Sequence, residues 1–112
     1  MRYVIDIDET ICVPGKTEEE RYTGATPIKT RIDIVNRLYD EGNTISYLTA
    51  RGMGRHKQDA KKAHDEFYDF TKNQLDNWGC KYHALYLGKP ASDYYIDDKA
   101  WPDHVFFNDK KK

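Results

Sequence analysis

The sequence has 112 residues, which limits it to one domain, since a second independent core does not fit in so short a chain. Its 18 basic residues against 19 acidic ones leave a formal net charge of -1, excluding a generally basic nucleic-acid binder. The mean hydropathy of -0.92 is polar, yet 13% aromatic residues exclude a disordered chain, which lacks such bulk to bury.

No stretch approaches the ~20 apolar residues of a membrane helix. The N-terminus, Met1-Arg2-Tyr3-Val4-Ile5-Asp6, reaches an acid too early for a signal peptide. A cytoplasmic protein without membrane contact is therefore expected. Cys12 and Cys80 are the two cysteines, far apart and outside any Cys-x-x-Cys or Cys/His cluster, so neither a disulfide framework nor a zinc site is indicated.

Tyr3–Ile7 is a short apolar run ending among acids, the pattern of a buried parallel strand. A polar stretch with Pro14, Gly15 and Gly24 follows and reads as a loop or small flap over about residues 11–26. Thr26-Pro27 is expected to open a helix, with Thr as N-cap and Pro in the first turn. Its apolar stripe is Ile28, Ile32, Val35, Leu38 and Tyr39, and Gly42 ends it. Thr44–Thr49 is a second strand, followed by the loop Ala50-Arg51-Gly52-Met53-Gly54. Ala60, Ala63, Phe67, Phe70, Leu75 and Trp78 recur at helical spacing, giving one helix or two abutting ones before Gly79. Tyr82–Leu87 is a third strand, Tyr94–Ile96 a short fourth, and Val105–Phe107 a last edge strand. Alternating strands and helices predict an α/β fold, a mostly parallel Rossmann-like sheet with helices on both faces.

In such sheets ligands bind beyond the carboxyl ends of the strands. Those positions hold Asp6, Asp8 and Thr10, then Thr49 and Arg51, then Lys89, and finally Asp97 and Asp98. Several carboxylates gathered at one sheet edge repel one another unless a cation joins them. Hard oxygen donors of this kind suit Mg²⁺, which takes one or two carboxylates, waters and a phosphate oxygen. A lysine completes the neutralisation of a dianionic phosphate.

Asp6-Ile7-Asp8-Glu9-Thr10 after an apolar strand resembles the first motif, D-x-D-x-T, of the haloacid dehalogenase superfamily. Thr49 closing Ile45-Ser46-Tyr47-Leu48 matches the second motif, Lys89 in Leu87-Gly88-Lys89-Pro90 the third, and Asp97-Asp98 after Tyr95-Ile96 the fourth. The first motif alone is short enough to recur by chance. All four stand in the family's order across residues 3–98. The resemblance implies a phosphatase in which Asp6 is the nucleophile that becomes an aspartyl-phosphate. Asp8 is then the general acid and base, with Thr49 and Lys89 holding the transferring phosphoryl oxygens. Mg²⁺ is expected on the Asp6 side chain, the Asp8 carbonyl and Asp97, with Asp98 a direct or water-mediated supporter. Thr10 and Arg51 stand as phosphate- or substrate-binding candidates, Arg51 being equally suited to pairing with an acid.

An Asp at position 8 favours phosphate-ester cleavage over halide displacement, because an alkoxide leaving group needs a proton. The intervals between motifs leave no room for a cap domain, which implies an open site, and a homo-oligomer is consistent with that. The expected substrate is a sugar phosphate or similar small phosphometabolite. A nucleic-acid 3′-phosphate or nucleotide is the second class, and an inactive binding module on the same fold is the third reading. A response-regulator receiver is disfavoured, because there the acidic pair comes first and the lysine last.

Overall fold

A computed structural model describes residues 1–109. Three strands, β1 (Arg2–Ile5), β4 (Thr44–Thr49) and β5 (Ala84–Leu87), form a parallel sheet in the order β1-β4-β5. Tyr3 lies opposite Ile45 and Ile5 opposite Tyr47, while Tyr47 faces Leu85 and Thr49 faces Leu87. Two crossover helices connect them, α1 (Lys29–Asp40) and α2 (Ala60–Asn77). A match of this kind to the α/β expectation follows from the spacing: period two in the strands, period near 3.6 between them.

Where the chain departs from its sequence reading, local chemistry explains why. Thr26-Pro27 does not open the helix. It forms β3, paired antiparallel with β2 (Cys12–Val13) in a two-stranded hairpin that turns the predicted flap into an ordered one. Ile28 donates its N–H to the Ile11 carbonyl at 2.8 Å and so stays extended, at φ -92° and ψ 90°. The helix therefore starts at Lys29, with Ile28 at its N-cap position and no side-chain cap. Pro27 lacks an N–H and is tolerated because the hairpin is only two strands wide. The second helix is a single one from Ala60, and its N-cap Asp59 accepts the Lys62 N–H at 3.1 Å. Residues 51–58 are turns rather than helix.

Tyr94–Ile96 is not a strand. Tyr94 is 83% and Ile96 98% exposed. The polar groups around them are satisfied locally instead, Ser92 Oγ donating to the Tyr94 carbonyl and the Tyr95 hydroxyl to the Pro90 carbonyl. Nor is Val105–Phe107 an edge strand. It belongs to the short helix α3 (Asp103–Phe107), which Pro102 precedes and which Asn108 closes in the left-handed conformation. Helical spacing lets Phe106 meet the Tyr3 ring, centroids 5.8 Å apart, while Phe107 enters the core.

Among the described residues, helices do not cover both faces of the sheet. Ile32 and Val35 of α1, Leu75 of α2 and Phe107 of α3 share one core with Ile5, Ile45, Tyr47 and Leu85. By strand alternation those four all point to the same side. Val4, Ser46, Leu48, Ala84 and Tyr86 point to the other, where Val4 is 67% and Tyr86 55% exposed. Both connections step the same way across the sheet, and right-handed crossovers then stack their helices on one face.

Arg31 of α1 is fully buried. Its guanidinium binds Asp109, donates to Asp103 at 2.7 Å and to the Thr10 carbonyl at 3.0 Å, and stacks on Phe107. Among the described residues no helix is long and apolar enough to cross a membrane.

Candidate active site

The turn after β1 is held from inside. Ile7 and Ile11 are fully buried, and the Ile7 carbonyl accepts the N–H groups of Thr10 and Ile11 at 3.0 and 2.9 Å. With Ile5 and Ile7 committed to the core, Asp6 and Asp8 line a cavity of about 830 Å³ beyond the strand ends. Glu9 takes φ +66° so that its N–H can reach the Cys12 carbonyl and close the turn.

Asp6 accepts a hydrogen bond from Thr10 Oγ1 at 3.3 Å and lies 3.7 Å from Lys89 Nζ. Burial pushes its carboxyl above the usual range, and the Lys89 charge only partly opposes this. Lys89 arrives there through β5: its N–H donates to the Thr49 carbonyl at 3.2 Å. Gly88 before it adopts φ +96°, and a Cβ there would press on Ala60 at 3.0 Å. A glycine is what lets the chain turn tightly enough to aim the lysine inward. The Lys89 ammonium also sits 4.2 Å above the Tyr95 ring. Thr49 is buried at the end of β4, its Oγ1 accepting the Arg51 N–H at 3.1 Å while its own proton stays available to a ligand.

Asp8 is committed differently. Arg51 Nε donates to its Oδ2 at 2.9 Å and Arg51 Nη2 to its Oδ1 at 3.0 Å, a bidentate pair. Arg51 is itself buried, sandwiched over Tyr22 at 4.7 Å and near Phe70 at 5.9 Å, with Nη1 3.4 Å from Thr71 Oγ1. Of the two readings of Arg51, pairing with an acid is the one the geometry carries. Cys12 Sγ also donates to Asp8 Oδ1, at 3.5 Å, and burial beside that carboxylate pushes the thiol up to about 12.

The structure thus brings together Asp6, Asp8, Thr10, Thr49, Arg51 and Lys89 from three strand ends. It does not bring Asp97 and Asp98 with them. Both are exposed, stand outside the cavity lining, and bond to Lys99. Among the described residues no three His, Cys, Asp or Glu side chains are placed to hold a metal ion. The reason is upstream: Tyr94–Ile96 does not pair along the free edge of β1, so the acids that follow it are not carried to Asp6.

Several residues of the site gave no local signal. Phe67, Phe70 and Thr71 of α2 face the cavity or Arg51 at helical spacing from Ala63, a pattern that read only as core. Glu66 binds Arg55 at 2.5 Å and His56 at 2.6 Å at the rim. Tyr22 and Tyr95 line the cavity, whereas Tyr94 and Trp101 do not.

No family model matches the chain, and no curated protein matches it. Among solved structures it is similar to the crystal structure of MCSG target APC26283 from Vibrio cholerae, with a TM-score of 0.83. That likeness covers 97% of this chain and 89% of the other at 23% identity, which carries the fold and says nothing of activity.

Proposed function

We propose that the protein is a magnesium-dependent phosphomonoester hydrolase of the haloacid dehalogenase type, cytoplasmic, acting on a sugar phosphate or similar small phosphometabolite. The observation that carries this reading is the meeting of Asp6, Thr49 and Lys89, three groups from three separate strand ends, around one open cavity. A carboxylate nucleophile, a hydroxyl donor and a cation within reach of one phosphate are what phosphoryl transfer asks of a protein.

Asp6 attacks phosphorus; the new Asp6 O–P bond forms as the ester P–O bond breaks, and the leaving oxygen takes a proton from Asp8. Water then gives its proton to Asp8 and attacks the same phosphorus, releasing inorganic phosphate and restoring Asp6. Thr49 and Lys89 hold the equatorial oxygens through both steps. Since Arg51 donates to both Asp8 oxygens, one of those hydrogen bonds must open and that oxygen must take up a proton from solvent before Asp8 can act as the acid. The donors fit magnesium to this extent: Mg²⁺ needs only one or two carboxylates beside waters and substrate. Asp6 and the Asp8 carbonyl supply hard oxygens, with Asp97 and Asp98 as further ligands only if their segment moves. When bound, the ion would offset the repulsion between the Asp6 carboxylate and the phosphate.

One observation favours a second reading, an inactive phosphate-binding module: Asp97 and Asp98 stand apart while Asp8 is tied to Arg51. The deciding experiment is hydrolysis of an aryl phosphate and a panel of sugar phosphates with and without Mg²⁺, for wild type and Asp6→Asn. Metal-dependent turnover lost in Asp6→Asn supports the hydrolase. Thermal stabilisation by phosphate without turnover supports the binding module, and neither response refutes both.

A further inference from the structure

Asp8 is aimed by Arg51, and the guanidinium of Arg51 needs support of its own. Once one of its two bonds to Asp8 opens, the other orients the carboxyl only if the guanidinium stays in place. Among the described residues, three further side chains are in polar or cation–aromatic contact with it. Thr71 Oγ1 lies 3.4 Å from Nη1, longer than the ~2.7–3.2 Å of a good N–H···O bond. The Phe70 ring, at 5.9 Å, stands at the ~6 Å limit of a cation–aromatic contact. The Tyr22 ring, at 4.7 Å, is well inside that limit and gives the closest support of the three. Tyr22 comes from neither the sheet nor α2. It lies in the connection between β2 and β3, which folds tightly on itself: Gly15 donates its N–H to the Arg21 carbonyl at 2.9 Å, and Gly24 to the Glu20 carbonyl at 2.7 Å. Two bonds from outside that connection fix Tyr22. Gln74 Nε2 of α2 donates to its carbonyl at 2.8 Å, and its hydroxyl accepts the Gly52 N–H at 3.3 Å. Phe67 meets the ring edge-on, centroids 5.2 Å apart.

We propose that Tyr22 is a positioning residue for acid catalysis: its ring fixes Arg51, and through Arg51 it keeps the Asp8 carboxyl aimed at the leaving oxygen. The inference rests on the hydrolase reading given above. It concerns the first chemical step, in which the Asp6 O–P bond forms, the ester P–O bond breaks and the proton of Asp8 moves to the leaving oxygen. A loosely held Asp8 slows that step in proportion to how much the leaving group needs the proton. A 4-nitrophenolate departs with little help, whereas a phenolate of nearly the same size needs far more. The connection that carries Tyr22 also lines the cavity with Glu18, Glu19, Arg21 and Thr23. One segment of chain therefore both walls the substrate cavity and supports the acid that acts there.

The test is kcat/KM for 4-nitrophenyl phosphate and for phenyl phosphate in the presence of Mg²⁺. That constant covers binding and the first chemical step, and leaves out the hydrolysis of the aspartyl-phosphate that both esters share. Because the two esters fill nearly the same space, a loss of binding or of fold lowers both values and leaves their ratio unmoved. Tyr22→Leu removes the ring, and its nitrophenyl-to-phenyl ratio is expected to rise at least ~10-fold over wild type. Tyr22→Phe keeps the ring and loses only the hydroxyl, so its ratio is expected within ~2-fold of wild type. Gln74 stands outside the lining of the catalytic cavity, and Gln74→Leu frees the Tyr22 carbonyl. It should move the ratio in the same direction by about 3-fold, and it carries the test should Tyr22→Leu fail to fold. An unchanged ratio in the folded Tyr22→Leu or Gln74→Leu enzyme overturns the inference and leaves the hydrolase reading in place. So does a Tyr22→Phe shift as large as that of Tyr22→Leu, which would assign the effect to the hydroxyl. A wild type that hydrolyses neither ester rejects the hydrolase reading, and the positioning role falls with it.

Discussion

Arg51→Met is the substitution whose effect the geometry specifies best. Methionine keeps an unbranched chain of similar length between Tyr22 and Phe70, so little volume is lost, but both hydrogen bonds to Asp8 go. Removing one partner of a buried ion pair costs about 3–5 kcal/mol, because the other charge is left without compensation. Asp8 retains 14% side-chain exposure and can recover some hydration, which places the expected loss near the lower bound, about 3 kcal/mol. For a domain of this length that corresponds to a fall in Tm of roughly 12–15 °C. Urea unfolding of wild type, Arg51→Met, Asp8→Asn and the double variant measures it. The double variant should recover at least ~1.5 kcal/mol relative to the sum of the single losses. A single-variant loss under ~1 kcal/mol, or strict additivity, would show that the pair is not coupled as described.

Asp6 carries the opposite sign. Its folded-state carboxyl is raised by burial, so the folded chain keeps a proton that the unfolded chain has already released. Stability should therefore fall as pH rises from the unfolded carboxylate range near ~3.9 through the folded value, and stay lower above it. Asp6→Asn removes that dependence and should be more stable than wild type at neutral pH by about 0.5–2 kcal/mol, the difference closing in acid; thermal unfolding across pH reads this directly. Gly52 has φ +81°, and a Cβ there would meet Phe67 Cδ2 at 2.6 Å. Gly52→Ala should then cost about 2–4 kcal/mol in urea unfolding, from the left-handed backbone and overpacking together. Gly42→Ala, at φ +97° with nothing within 4 Å of the added Cβ, should lose only the backbone part.

What could be read from the chain was whatever depends on near neighbours. The apolar run before Asp6, the alternation that sends Ile5 and Ile7 inward, and the strand ends at Thr49 and Leu87 are all local, and the cavity they build was foreseeable. Thr26-Pro27 was ambiguous, because a Thr-Pro pair suits a helix start or an edge strand equally well, and the bond from the Ile28 N–H to the Ile11 carbonyl, 17 residues before it, decides between them. The partner of Arg51 lies 43 residues away, and no local pattern names it. Tyr94–Ile96 has strand composition but only three residues, too few to overcome hydrogen bonds that Ser92 and Tyr95 make within the same segment. The uncovered face was hidden for a related reason: alternation in each strand shows which residues share a side, while the side the helices occupy follows from strand order.

Arg31 gives the molecule a direction in time. Its counterions Asp103 and Asp109 follow it by 72 and 78 residues, and its third partner is the carbonyl of Thr10, whose hydroxyl holds Asp6. A growing chain that has released only the sheet and the first two helices from the ribosome carries a guanidinium already assigned to the core with neither carboxylate yet made. The turn bearing Asp6 can form early, but its support from behind is completed only when residue 109 emerges. Support behind the candidate catalytic loop in this way waits for residues 103 and 109, so a chain interrupted before them stops short of a finished cavity.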